Sequence, residues 1–180
     1  MVLSSESRKK RSGSYRLNDA TGGAMSAVKP EIQLLKELLV AMDFTPESDK
    51  AFDFAIKLLQ NNRQAQLYIL HAVTTHVMAT SETAPDALLI NMQIQDKLVK
   101  EAKERMEEKV NYAKAHGVSR VKGIVVVSDP VRAILQAAKD IKADMILLGN
   151  RRRGYTRGIL FGSVSARVAA DSPASVLIVR

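Results

Sequence analysis

The chain has no cysteine among its 180 residues, which removes disulfides, thiolate-held metals and a cysteine nucleophile together. Aromatic content is low. Four Phe and four Tyr are too few for the stacking platform that binds single-stranded nucleic acid, so nucleic acid is not an expected partner. No apolar run approaches the roughly 18–20 residues of a membrane-spanning helix. The cationic N-terminal stretch is not followed by the apolar segment of a secretory signal. The three histidines, His71, His76 and His116, are scattered along the chain, and no His/Asp/Glu spacing describes a metal cage. Neither a Ser-His-Asp order nor a working pair of carboxylates emerges, so no catalytic residue is assigned. These absences fit a cytoplasmic protein that binds a ligand or partner, with weak ATPase or self-phosphorylating activity as the most enzymatic reading.

What is present is an ordinary globular composition, 46% hydrophobic and 26% charged, in a chain long enough for one domain with a real core. The formal net charge is +8, a surplus that attracts polyanions through forces that salt weakens. Residues 1–30 carry Arg8, Lys9, Lys10, Arg11, Arg16 and Lys29 against Glu6 and Asp19. They are Ser- and Gly-rich without hydrophobic periodicity, which reads as a disordered basic tail. Such a tail reads as a solubilising extension or a stretch upstream of a true start at Met25, the alternative being that Arg8-Lys9-Lys10-Arg11 steers the protein to nucleic acid or a membrane surface. The domain is expected over residues 31–180.

From Glu31 onward, apolar runs alternate with helical patterns. Leu38–Met42 is too short and too uniformly apolar for a helix and reads as a buried strand. After Asp43-Phe44, Thr45 can cap a helix and Pro46 can occupy its first position. Phe52, Ala55, Ile56 and Leu59 then mark that helix's inner face. Gln66–Val73 is a second strand, in which His71 reads as a packed residue. A long helix to about Ala115 is stopped by Gly117, and its charge run from Lys97 to Lys109 reads as a solvated face. Val121–Val127 is a third strand, Pro130 opens a helix with Ile134, Leu135 and Ala138 on one side, and Ala143–Leu148 is a fourth strand. A short helix over about 162–170 and a fifth strand, Ala174–Val179, complete the chain. Near-continuous apolar strands alternating with helices predict an α/β fold: a single doubly wound parallel sheet covered by helices on both faces. Ligands of such sheets bind beyond the carboxyl ends of the strands, where the strand order reverses.

The segment Leu148-Gly-Asn-Arg-Arg-Arg-Gly-Tyr-Thr-Arg-Gly-Ile-Leu-Phe-Gly-Ser-Val-Ser165 joins the fourth strand to the last helix. Gly149, Gly154 and Gly158 allow tight turns and close approach of a ligand. The helix beginning at Gly162-Ser163 offers free N–H donors to phosphate oxygens. Gly149-x4-Gly154-Tyr155-Thr156 falls short of a P-loop, because the lysine is missing and the helix starts too late.

The same segment, with others in order, resembles the universal stress protein family, whose nucleotide-binding members carry G-x2-G-x9-G-[ST]. Gly149 and Gly162-Ser163 match that spacing, and Leu39-Val40-Ala41-Met42-Asp43-Phe44-Thr45, Ile69–Val73, Asp129-Pro130, Ala143–Gly149 and Ala174–Val179 follow the family pattern over about residues 32–180. The resemblance implies a Rossmann-like sheet of order 3-2-1-4-5 and a homodimer paired through the last strand. It also implies ATP, or another adenine nucleotide, as ligand, with or without Mg²⁺. By position Asp43 would bond the adenine or ribose, with Ala41, Met42 and Ala72 beside it, and Leu148 and Gly149 would line base and sugar. Arg151, Arg152, Gly162, Ser163, Val164 and Ser165 would surround the phosphates.

Two departures stand out. Ala41 occupies a place where many members have proline, and Arg152 replaces the second motif glycine. An arginine held at positive φ costs roughly 1 kcal/mol or more, while adjacent arginines offer charge-assisted bonds to phosphate. The resemblance therefore implies a nucleotide-dependent stress or signalling module. The alternative is a nucleotide-free dimeric interaction module that turns its arginines toward an acidic partner.

Overall fold

The computed structural model describes residues 35–60, 62–74, 85–150 and 162–180, with the backbone alone for 85–88. The basic stretch of residues 1–30 and most of the arginine loop (151–161) lie outside the described residues. The elements run β1 (Glu37–Ala41), α1 (Pro46–Leu59), β2 (Gln66–Val73), α2 (Pro85–Ala115), β3 (Val121–Val127), α3 (Pro130–Asp140), β4 (Met145–Gly149), α4 (Ser163–Asp171) and β5 (Ser175–Val179). The five strands form one sheet of order β3-β2-β1-β4-β5, parallel throughout. The order 3-2-1-4-5 expected from the sequence is the one observed.

Successive side chains of a strand point to opposite faces, and that alternation divides the core. Leu38, Val40, Met42, Leu67, Ile69 and Leu147 pack with Phe52, Ala55, Ile56, Met106 and Ala113 of α1 and α2. Leu39, Leu70, Ile146 and Leu148 pack with Val131, Ile134, Ala138 and Val168 of α3 and α4. Both faces of the central strands are therefore covered, which is why those strands read as unbroken apolar runs.

The predicted helix signals are realised in detail. The Thr45 hydroxyl accepts from the Ser48 backbone N–H, the Ser48 side chain returns the bond to the Thr45 backbone, and Pro46 opens α1. Asp129 caps α3 by accepting from the Arg132 N–H at 3.0 Å. Gly117, at φ 91°, ends α2, and the Val118 N–H bonds back to the Ala113 carbonyl at 3.1 Å, the left-handed stop that glycine permits. At the opposite edge of the sheet, Asp144 Oδ2 accepts from the Lys36 and Glu37 N–H groups at 2.7 and 2.9 Å, joining the entries to β1 and β4.

Several boundaries shift by one or two residues: β1 is Glu37–Ala41 rather than Leu38–Met42, and β5 starts at Ser175 rather than Ala174. β4 starts at Met145 rather than Ala143, because the Ala143 N–H still bonds the Ala138 carbonyl at the end of α3. It also runs on to Gly149, which pairs with Val179. The solvated reading of α2 also needs enlarging. Alongside its charges, Leu89, Ile90, Met92, Ile94 and Leu98 are exposed, and Lys97–Glu101 is a loose, exposed pair at 3.9 Å. Among the described residues, no helix is long and apolar enough to cross a membrane.

Candidate functional site

The sheet divides at its carboxyl edge. β1 and β4 run side by side as far as the pair Ala41–Leu148, and beyond it each keeps only its outer neighbour. The Met42 N–H donates to the Leu70 carbonyl of β2 at 2.8 Å. On the other side, Gly149 pairs with Val179 of β5, and the Asn150 N–H donates to the Val179 carbonyl at 2.9 Å. The strand order reverses between these two strands, and the carboxyl edge of such a switch point is where doubly wound sheets bind ligands in a crevice.

The expected site residues fall on different walls of that crevice. Ala41, Ala72 and Leu148 share the face covered by α3 and α4. Ala41 and Ala72 are half-buried there, and both are small. Met42 points the other way, into the core under α1, and is buried; only its backbone faces the edge. Gly149 also belongs to the α1 side. A Cβ built on it would lie 2.4 Å from the Glu47 carbonyl carbon and oxygen and 2.7 Å from the Ser48 nitrogen. The glycine is therefore demanded by the backbone of α1's first turn, which rests on the end of β4.

Asp43 is exposed, in the turn between β1 and α1. Its Oδ1 accepts from the Thr45 hydroxyl at 2.5 Å and from the Thr45 N–H at 3.2 Å. The carboxylate thus ties down the turn that leads to the α1 cap as well as standing at the crevice. The next residue, Phe44, has φ 56°, a left-handed conformation that costs a residue with a Cβ about 1–2 kcal/mol.

Across the crevice, α4 starts at the same edge. Gly162 is its N-cap, with no side chain to satisfy the first turn. Ser163 is therefore the first helical residue rather than the cap, and it is exposed. Ser165 is buried and donates its hydroxyl to the Gly162 carbonyl at 3.0 Å. Val164 packs against the α3–α4 core. Helix geometry leaves the N–H groups of Ser163, Val164 and Ser165 without intrahelical acceptors, with the positive end of the helix dipole beside them. Arg151 and Arg152 lie outside the described residues.

Sequence reasoning missed three participants: His71 as an active bonding group, Phe44 and Arg105. His71 is half-buried in β2, as expected of a packed residue, but its Nδ1 also lies 2.7 Å from the Met42 carbonyl oxygen. Its ring sits 4.6 Å from that of Phe44. The Arg105 guanidinium of α2 lies 4.2 Å from the Phe44 ring centroid. The isolated histidine in a strand was the one available signal. Among the described residues no group of three or more His, Cys, Asp or Glu could hold a metal ion.

Fold and edge together define a doubly wound parallel α/β domain whose switch point lies between β1 and β4, with a helix that starts on a glycine N-cap at the same edge. Residues 35–180 match the model of the universal stress protein family, and the chain belongs to that family. Universal stress protein A homolog 2 of Coxiella burnetii is 35% identical over 145 residues, covering 81% of this chain and 94% of the relative. Universal stress protein UspA from Lactobacillus plantarum superimposes with a TM-score of 0.69 at 21% identity, covering 81% of this chain and 98% of that one. A universal stress protein solved in complex with cAMP has a TM-score of 0.59 at 28% identity, covering 82% and 98%.

Proposed function

We propose that the chain binds an adenine nucleotide, ATP foremost, in the crevice between β1 and β4, and serves as a nucleotide-dependent module of a stress response. The observation that carries the reading is the end of β1–β4 pairing at Ala41–Leu148, with the glycine-capped start of α4 at the same edge. The arrangement suits both ends of such a ligand. Small and apolar Ala41, Ala72 and Leu148 would flank the base, and Asp43 would accept hydrogen bonds from adenine or ribose. The N–H groups of Ser163, Val164 and Ser165, with the Ser163 hydroxyl, would face the phosphates, joined by Arg151 and Arg152. A bare glycine cap fits a phosphate because no side-chain oxygen competes for the first-turn donors.

The cAMP complex of a similar protein supports the adenine class, and the names of the relatives support the stress role. Mg²⁺ would enter with the triphosphate. The chain would act in the cytoplasm as a homodimer, with β5, one of the two edge strands, as the pairing edge. A sheet edge of this kind presents unpaired N–H and C=O groups to a second copy.

Acid denaturation of purified protein is expected to release an adenine nucleotide, and titration calorimetry with ATP, ADP and AMP is expected to give saturable heat. Folded protein with no heat at millimolar nucleotide would overturn the reading in favour of an interaction module that keeps the fold and meets an acidic partner through its arginines.

A further inference from the structure

The turn that carries Asp43 is held from a distance. The Met42 carbonyl can only accept, so His71 Nδ1 at 2.7 Å must carry a proton and donate. Phe44 keeps its left-handed φ of 56° between two side chains, the His71 imidazole on β2 and the Arg105 guanidinium on α2. Arg105 Nη2 also donates to the Phe44 carbonyl at 3.4 Å. One helical turn further along α2, Lys109 Nζ pairs with Asp49 Oδ1 at 2.7 Å, which ties the first turn of α1 to the same helix. The residues on both sides of Asp43 are thus fixed by groups about 30 and 60 positions away in sequence. A strained backbone persists only where its surroundings over-determine it, and such strain gathers at ligand clamps.

We propose that His71 and Arg105 are positioning residues for the β1–α1 turn, holding Asp43 in its nucleotide-binding arrangement without lining the crevice themselves. The inference rests on the nucleotide reading of that crevice. His71 points to the α1–α2 face of the sheet, opposite Ala72, and Arg105 is exposed on α2. Loss of either clamp lets Phe44 return to negative φ, and the binding-competent turn becomes a minority state. Apparent affinity falls by the factor lost from that population.

The test compares wild type with Arg105→Ala, His71→Ala and His71→Asn. Arg105→Ala is the main arm because it truncates an exposed side chain and leaves the core intact. ATP binding is read by calorimetry, the thermal midpoint of the free protein is read in parallel, and NMR of the free protein reports the His71 tautomer and the Phe44 backbone. Arg105→Ala is expected to weaken ATP binding roughly 3- to 30-fold, to leave the midpoint nearly unchanged and to move Phe44 out of positive φ. His71→Ala is expected to weaken ATP binding likewise but also to lower the midpoint, because it leaves the Met42 carbonyl unpaired, and His71→Asn, which keeps an N–H donor near that carbonyl, to recover most of the affinity. Wild-type His71 should be protonated on Nδ1.

Equal ATP affinity in wild type and Arg105→Ala would overturn this inference while leaving the nucleotide reading intact, as would an Nε2–H tautomer. Absence of ATP binding by folded wild type would overturn the nucleotide reading itself and the positioning role with it.

Discussion

Gly149→Ala probes the contact between β4 and α1 on which the crevice depends. The added methyl would stand 2.4 Å from the Glu47 carbonyl and 2.7 Å from the Ser48 nitrogen. Ordinary contacts begin near 3.4 Å, so the shortfall is about 1 Å, and every atom concerned is backbone in the first turn of a capped helix. No rotamer change relieves it; strand and helix must separate. Overpacking of this kind costs about 1–3 kcal/mol, offset in part by about 0.4–1 kcal/mol from the stiffer unfolded chain. The net loss of about 1–2 kcal/mol corresponds to a fall in thermal midpoint of about 3–7 °C for a domain of roughly 150 residues. Thermal unfolding followed by circular dichroism measures it directly. Gly123→Ala is the control, because its methyl would meet Met106 Cγ at 2.5 Å and Val110 Cγ2 at 3.1 Å, which are side-chain atoms able to rotate away. Its midpoint should fall by less than half as much. Equal losses at the two glycines, or no loss at Gly149, would refute the argument that rigid backbone is what requires glycine at the end of β4.

Thr45→Ala removes the hydroxyl that caps α1 and donates to Asp43. It should lower stability by about 0.5–2 kcal/mol in a urea titration, and it should weaken ATP binding as well, whereas Asp129→Ala, at the cap of α3, should lower stability alone. Arg152→Gly should reduce ATP affinity roughly 10-fold if charge-assisted phosphate contacts prevail; a gain in affinity would favour the interaction module. Burial, then the hydrogen bond and charge of Glu37, hold the Tyr68 phenol above its ordinary pKa of 10. The folded state therefore keeps this proton longer than the unfolded chain. Stability is complete below pH 10 and declines as pH rises through the folded value. Thermal scans from pH 8 to 11 should show wild type losing ground to Tyr68→Phe only above about pH 10, and parallel curves would refute this.

The fold was legible because its strands are buried on both faces. Leu38–Val40 and Ile146–Leu148 contribute to both cores, and no amphipathic alternation blurs their reading. The start of α1 was equally plain, since Thr45 and Pro46 act locally. Which wall each site residue joins was not legible. Met42 and Gly149 look like crevice residues by position, yet alternation sends both toward α1, and only the register Ala41–Leu148 settles that parity. Phe44 at positive φ was invisible for a related reason. Its conformation is imposed by His71 and Arg105, and no local rule places an imidazole and a guanidinium against a ring so distant in sequence. The exposed apolar residues of α2 escaped notice because the neighbouring charges dominated the pattern.

Asp43 shows why a structural and a binding reading of one residue need not compete. Its Oδ1 is committed to Thr45, and that commitment is what orients the carboxylate at the crevice. A carboxylate left free to rotate would lose conformational entropy when a ligand fixed it, and the ligand's affinity would bear that cost. Held by Thr45, and flanked by a Met42 carbonyl bonded to His71 and a Phe44 gripped by Arg105, it has surrendered that freedom during folding. The same reasoning predicts an asymmetry between two substitutions at Asp43. Asp43→Asn keeps an amide oxygen able to accept from Thr45, so it should cost little stability while weakening interaction with a donor on the ligand. Asp43→Ala should cost both. If titration calorimetry and urea unfolding show the two variants losing affinity and stability in the same proportion, Asp43 is only a helix-turn residue, and the binding role passes to α4 and the arginine loop.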